Sequence, residues 1–197
     1  MHALVPTDTT TAVDYDDDSF ALIGRKPPQP KFQRFGIDQI GRLYEYGDTP
    51  GLPRRVLTYE DTLDFCAIHD LALIQRGGDR SKTYLDLTIN SPDPYTIFVL
   101  SLPCFNSGPD RPSWPVRSLL GSLAEADKLL DLRAMTGKIG SRRGTKANAQ
   151  GHKANFIVLY LDDGSLLRAP SLEPDRHTLE VTVERLRRSL AFSPQFQ

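Results

Sequence analysis

The sequence predicts a mainly β fold with helices: five strands, a helix between the third and the fourth, and a further helix near the C-terminus. Three observations carry this expectation. The stretches 71–76, 82–90 and 95–102 are short strand patterns, the second alternating cleanly and the third rich in β-formers, separated by glycine- or proline-bearing turns. Val116, Leu119, Leu120 and Leu123 recur at i, i+3, i+4 and i+7 behind Pro115, a first-turn helix residue. The 197 residues, 39% hydrophobic and 25% charged with 15 prolines and 14 glycines, describe one modest core with loop-rich extensions and exclude a large multidomain enzyme.

Residues 1–30 read as a flexible arm. Asp8, Asp14, Asp16, Asp17 and Asp18 precede any Lys or Arg, and Pro27, Pro28 and Pro30 follow; such a segment buries too little apolar surface to offset its ordering entropy. A lead-in hairpin over 31–57 comes next, from extended pieces at 31–36 and 42–46 that Pro50, Gly51 and Pro53 terminate. The main domain, 58–170, is expected to open on a short helix, with Thr58 as N-cap, Asp61 three residues on, and Tyr59, Leu63, Cys66 and Ala67 on one face. Leu71 to Arg76 is the first strand, turned by 77–81. Lys82 to Asn90 is the second, with Leu85, Leu87 and Ile89 on a buried face and Tyr84, Asp86 and Thr88 on a wet one. Tyr95 to Leu102, nearly continuously apolar, is the third and belongs at the centre of a sheet.

After the helix behind Pro115, a fourth strand is expected over 129–139, with Leu130, Leu132 and Ala134 inward and Met135 outward. A fifth runs from Asn155 to Leu161, and Asp162-Asp163-Gly164 turns the chain into a partner piece at 165–168. The segment 171–197 holds the C-terminal helix. Its seam of Leu179, Val183, Leu186 and Leu190 either docks on the domain or pairs with a second copy to make a homo-oligomer.

Strand, strand, strand, helix, strand, strand over residues 71–161 resembles the OB-fold, a five-stranded Greek-key barrel whose members include single-stranded nucleic-acid-binding proteins. A split barrel and an α+β sandwich share the same order. The OB resemblance implies that the loops between strands one and two and between strands four and five flank a ligand groove. Net charge is only −1, so attraction to nucleic acid must come from local segregation. Segregation is present: from Leu132 to Leu161 there is no Asp or Glu, yet Arg133, Lys138, Arg142, Arg143, Lys146 and Lys153 fall there. Most of them lie in 140–153, the expected loop between strands four and five. The other loop is basic too, with Arg76, Arg80 and Lys82 around Asp79. Arg, Lys, Gly and Asn suit phosphate, and exposed aromatics suit bases; Tyr84, Tyr95, Phe98 and Tyr160 are the aromatics available on strands or at their ends.

The acidic stretch ending Asp16-Asp17-Asp18-Ser19-Phe20 resembles, in composition, the acidic tip with a terminal aromatic carried by bacterial and phage single-stranded DNA-binding proteins, where it is C-terminal. The resemblance implies docking of Asp16, Asp17, Asp18 and Phe20 on a protein partner, or competition for the basic groove. Catalytic readings fail on spacing. Gly137 to Gly140 leaves a strand, whereas the GxxG of KH domains joins two helices; Gly144-Thr145-Lys146 reverses the order of a phosphate loop. Cys66 and His69 lack an oxyanion motif, so Cys66 reads as a core thiol. Nothing clusters Asp162 and Asp163, or Asp86 and Asp131, beside a Lys or Glu. Two cysteines and four histidines have no zinc spacing and build no disulfide framework. The N-terminus has neither basic nor apolar signal regions, and no apolar run reaches bilayer length, so a cytoplasmic protein without membrane contact is expected. The expectation is thus a non-enzymatic binder of single-stranded nucleic acid, DNA favoured over RNA, without cofactor or metal. Its alternative is a protein-interaction or assembly module using the C-terminal helix and the acidic arm.

Overall fold

The computed structural model describes residues 29–77, 82–105, 110–147, 149 and 151–191. Strands β1 (Lys31–Ile37), β2 (Leu43–Tyr46), β3 (Pro53–Val56), β4 (Thr62–Phe65), β5 (Ala67–Arg76), β6 (Lys82–Asn90) and β7 (Thr96–Pro103) lead to helix α1 (Trp114–Leu129). A 3-10 turn at Leu132–Ala134, strands β8 (Gly137–Ala147) and β9 (Lys153–Tyr160), and helix α2 (Arg176–Ala191) follow. The fold is mainly β, as expected, and has two helices. A six-stranded sheet runs β3-β2-β1-β7-β6-β5 and a three-stranded sheet runs β4-β8-β9. All pairings are antiparallel except β1 with β7.

Alternation builds the larger sheet. Leu85, Leu87 and Ile89 are fully buried while Tyr84, Asp86 and Thr88 take the other face; Leu100 pairs opposite Leu87 and Leu102 opposite Leu85, so one apolar face is continuous across β6 and β7. β7 is central, between β6 and β1. On that face Phe35 of β1 meets Phe98 edge-on, with ring centroids 5.3 Å apart. β4 and β5 are one run of chain broken only at Cys66, whose N–H donates to the Asn90 carbonyl (2.9 Å). Before the break the run pairs with β8, after it with β6. Following the hydrogen bonds therefore gives the five expected strands in the order fifth, fourth, first, second, third.

The sheets do not close into a barrel. The outer edge of β7 is taken by β1, and β9 is flanked by α1, where the Ile157 N–H donates to the Ser118 hydroxyl (2.9 Å). Each edge thereby has a neighbour without the two meeting, β9 also bridging from Tyr160 to Leu166. Val116, Leu119, Leu120 and Leu123 of α1 are buried in the common core, as the spacing predicts. The α2 seam, Leu179, Val183, Leu186 and Leu190, joins the same core against β5 and α1. It docks on its own chain. Asp175 holds the start of α2 by accepting from the Thr178 N–H (2.8 Å), and the Thr178 hydroxyl and amide together keep its carboxyl below the usual range.

Four expectations are corrected. The segment 58–67 is not a helix. The Thr58 N–H donates to Asp61 (2.6 Å) and the Glu60 N–H to the Thr58 hydroxyl (3.3 Å), so capping contacts form, but they close a turn; Leu63 and Phe65 then bury alternately as β4 pairs with β8. Cys66 is exposed, its thiol donating to the Ser91 carbonyl, and is no core thiol. The fourth strand starts at Gly137. Leu129 belongs to α1, Leu130 is exposed, Ala134 closes the 3-10 turn and Met135 is buried, because Asp131 accepts from the Arg133 N–H (3.0 Å) and coils the chain there. The segment 140–147 is strand rather than loop, extending β8 into a ribbon with β9. A strand that the sequence reading omitted, β3, is exposed throughout and begins at Pro53, tolerated because the strand lies at the sheet edge.

Candidate nucleic-acid interface

The β1–β2 turn, the start of β6, the end of β7, the start of α1 and the start of β9 meet at one end of the larger sheet. The β1–β2 turn is shaped by Asp38, whose carboxylate accepts from the Ile40 N–H (3.0 Å), the Arg42 N–H (2.8 Å) and Arg42 Nε (2.9 Å). Gly41 completes the turn at φ +91°, and a Cβ there would lie 2.3 Å from the Asn155 side chain. Asn155 stitches the base of the ribbon to this turn: its amide donates to the Ile40 carbonyl (3.0 Å) and accepts from the Gly41 N–H (3.3 Å).

Between turn and ribbon lies a groove of about 560 Å³ lined by Lys82, Pro103, Trp114, Pro115, Lys153 and Ala154 together with Ile37, Asp38, Gln39 and Asn155. Lys82, on the strand leaving the 77–81 loop, and Lys153, at the start of β9, share this one groove. Trp114 is 43% exposed; Arg117 stacks on its ring at 4.2 Å and Phe156 contacts it at 5.6 Å between centroids. Arg142, Arg143 and Lys146 are exposed along the ribbon beyond the groove. Arg142 donates from Nε to the Tyr160 hydroxyl (3.1 Å), its guanidinium 5.5 Å from that ring. Arg143, Lys146, Lys153 and Lys82 make no ion pair with any described residue.

The remaining sequence-predicted residues lie elsewhere. Lys138, at the opposite end of β8, pairs with Asp64 (3.6 Å), and Arg133 in the 3-10 turn pairs with Asp131 (3.2 Å). Arg76 and Tyr84 occupy the open face of the larger sheet. There the Arg76 guanidinium sits 5.2 Å from the Tyr84 ring, donates to the Ser101 hydroxyl (2.9 Å) and pairs with Asp86, which Arg34 approaches at 3.7 Å. Phe98 faces the core, Tyr95 is exposed in the turn before β7, and Tyr160 lies on the outer face of the small sheet with Arg142. Arg80, Asp16, Asp17, Asp18 and Phe20 lie outside the described residues.

The sequence reading missed the aromatics of the lead-in hairpin. Tyr44 and Tyr46, two apart on β2, project to the open face with ring centroids 4.9 Å apart. They rest on Gly36, where a Cβ would come 2.8 Å from Tyr44 Cζ and 2.9 Å from Tyr46 Oη. Burial first, and then the Tyr46 hydroxyl, push the Tyr44 phenol well above its usual range. The alternation Leu43, Tyr44, Glu45, Tyr46 was the available signal.

Among the described residues, no group of three or more His, Cys, Asp or Glu is placed to hold a metal ion, and no helix is long and apolar enough to cross a membrane. Comparison with protein-family models, curated proteins and solved structures finds no match.

Proposed function

We propose that this chain binds single-stranded nucleic acid without catalysing a reaction, on an opened OB-like arrangement of its strands. The observation that carries the reading is the meeting of Lys82 and Lys153 in one groove beside exposed Trp114, continuous with a ribbon bearing Arg142, Arg143 and Lys146. A phosphate backbone needs mobile cations not already neutralised by carboxylates, and no Asp or Glu occurs from 132 to 161. A base needs an aromatic surface in reach, and Trp114, which lines the groove, is 43% exposed beside Arg117. The strand order β9-β8-β4/β5-β6-β7, with α1 between third and fourth, supports the OB-like reading. In it the groove lies between the start of the second strand, at Lys82, and the ribbon of the fourth and fifth, at Lys153.

The test is a fluorescence-anisotropy titration of the full chain with labelled single strands of DNA and of RNA at low and moderate salt. Binding that weakens as salt rises is expected, tighter for DNA. Absence of binding to either polymer at low salt overturns the reading.

A further inference from the structure

Beside the basic groove, on the other side of the β1–β2 turn, is a second hollow of about 530 Å³, walled by Tyr44, Tyr46, Leu52, Pro53 and Val56 with Arg42 at its rim. Ile37, Asp38 and Gln39 line both cavities, so the two are neighbours separated by a single turn of chain. We propose that this hollow receives a nucleobase of the strand whose phosphates lie on Lys82 and Lys153, an inference that rests on the single-strand reading above.

Four observations support a base as the occupant. The hollow falls within the roughly 300–1,000 Å³ typical of small-ligand sites. Its walls concentrate apolar groups that a folded chain ordinarily covers: Leu52 is 65% exposed, Tyr46 41% and Val56 39%. The two phenol rings are pre-positioned, because their hydroxyl ends rest on the bare backbone at Gly36, so little rotamer freedom is left to lose on stacking. Finally, Asp38 on the shared wall is occupied by Arg42 and by two turn N–H groups, which satisfies its charge internally and leaves the passage from groove to hollow open to an anionic backbone. Gln39 on that wall supplies an amide able to donate to and accept from a base edge. An apolar side chain of a protein would fit the walls but would have no use for the cationic groove they adjoin.

The experiment compares a short oligothymidylate with an abasic strand of equal length and charge, using the full-length chain. Two readouts separate the cavities: anisotropy reports affinity, and quenching of Trp114, the one tryptophan of the sequence, reports occupancy of the groove. Wild type is expected to favour the base-bearing strand by more than the roughly 5- to 150-fold worth of the one base that Trp114 stacks. Tyr46→Ala is expected to lower that preference by about 5- to 150-fold, to what a base on Trp114 supplies, while retaining Trp114 quenching and the salt dependence. Leu52→Ala, at the exposed rim, reduces the preference and serves if Tyr46→Ala does not fold. Equal affinity of wild type for both strands, or full discrimination by the folded Tyr46→Ala variant, overturns the base site and leaves groove binding standing. No binding of either strand overturns both.

Discussion

Neutralising the ribbon is the sharpest probe of the interface, because the structure separates cations that are free to meet phosphate from those already paired. Lys82, Arg142, Arg143, Lys146 and Lys153 surround the groove and ribbon. If each meets one phosphate of a single strand, log affinity falls with log salt at a slope of about −3.5, roughly 0.7 per contact. Between about 50 and 200 mM salt that slope loses ~130-fold in affinity. The triple variant Arg143→Ala/Lys146→Ala/Lys153→Ala leaves two contacts, a slope of about −1.4 and a loss of only ~7-fold over the same range. None of the three side chains is ion-paired with a described residue, and all are exposed, so thermal unfolding should stay close to wild type. Lys138→Ala is the internal control: its ammonium already faces Asp64 at 3.6 Å, and the slope should not change. Anisotropy titrations at several salt concentrations give the slopes. A triple variant with the wild-type slope would remove the ribbon from the interface and refute the reasoning.

Three further outcomes are expected. Burial pushes the Cys104 thiol up to about 12 from 9.0; with the folded value raised, its contribution is complete below pH 9 and is lost as pH rises toward 12, amounting to roughly 2–3 kcal/mol by about pH 11. Tyr44 acts in the same direction, so Cys104→Ala should reduce but not abolish the alkaline fall in urea midpoint, and an identical pH profile would count against it. Leu186→Ala, at a fully buried seam position, should lower stability by about 2–5 kcal/mol without changing the molar mass seen by light scattering; a fall in mass at unchanged stability would mean that the seam pairs between chains. Deleting residues 1–20, which carry five aspartates, should tighten single-strand binding most at low salt if the acidic arm competes for the groove. Unchanged affinity at every salt concentration would dismiss that competition.

Legibility in the sequence followed the range of the interaction that decides each element. The strand over 82–90 and the apolar face of α1 are written in local periodicity, two residues in one and three to four in the other, and both appear as read. The segment 58–67 carries Thr58 and Asp61 with capping chemistry, and the capping contacts do form. Whether helix or strand follows was settled by the partner that Thr62–Phe65 finds in Gly137–Gly140, more than seventy residues away. The polar run 140–147 has no apolar alternation to mark it as strand, yet it becomes one because β9 pairs with Gly140–Arg143 and, past a register shift, with Ala147.

The candidate site divides in the same way. The charge segregation from 132 to 161 is a property of composition and needs no coordinates, which is why the ribbon cations were named from the sequence. Their sorting is tertiary: Arg133 and Lys138 meet Asp131 and Asp64, while Lys82 and Lys153, distant in sequence, line one groove because the ribbon base is tied through Asn155 to the β1–β2 turn. Tyr44 and Tyr46 became candidates only when β1 paired with β7, since that pairing buries one face of the lead-in hairpin and leaves the face bearing the two phenols open. Sequence alone determined which residues carry charge and which segments can alternate or coil; the long-range pairing of edges, which depends on what each strand finds beside it, decided which of them stand together.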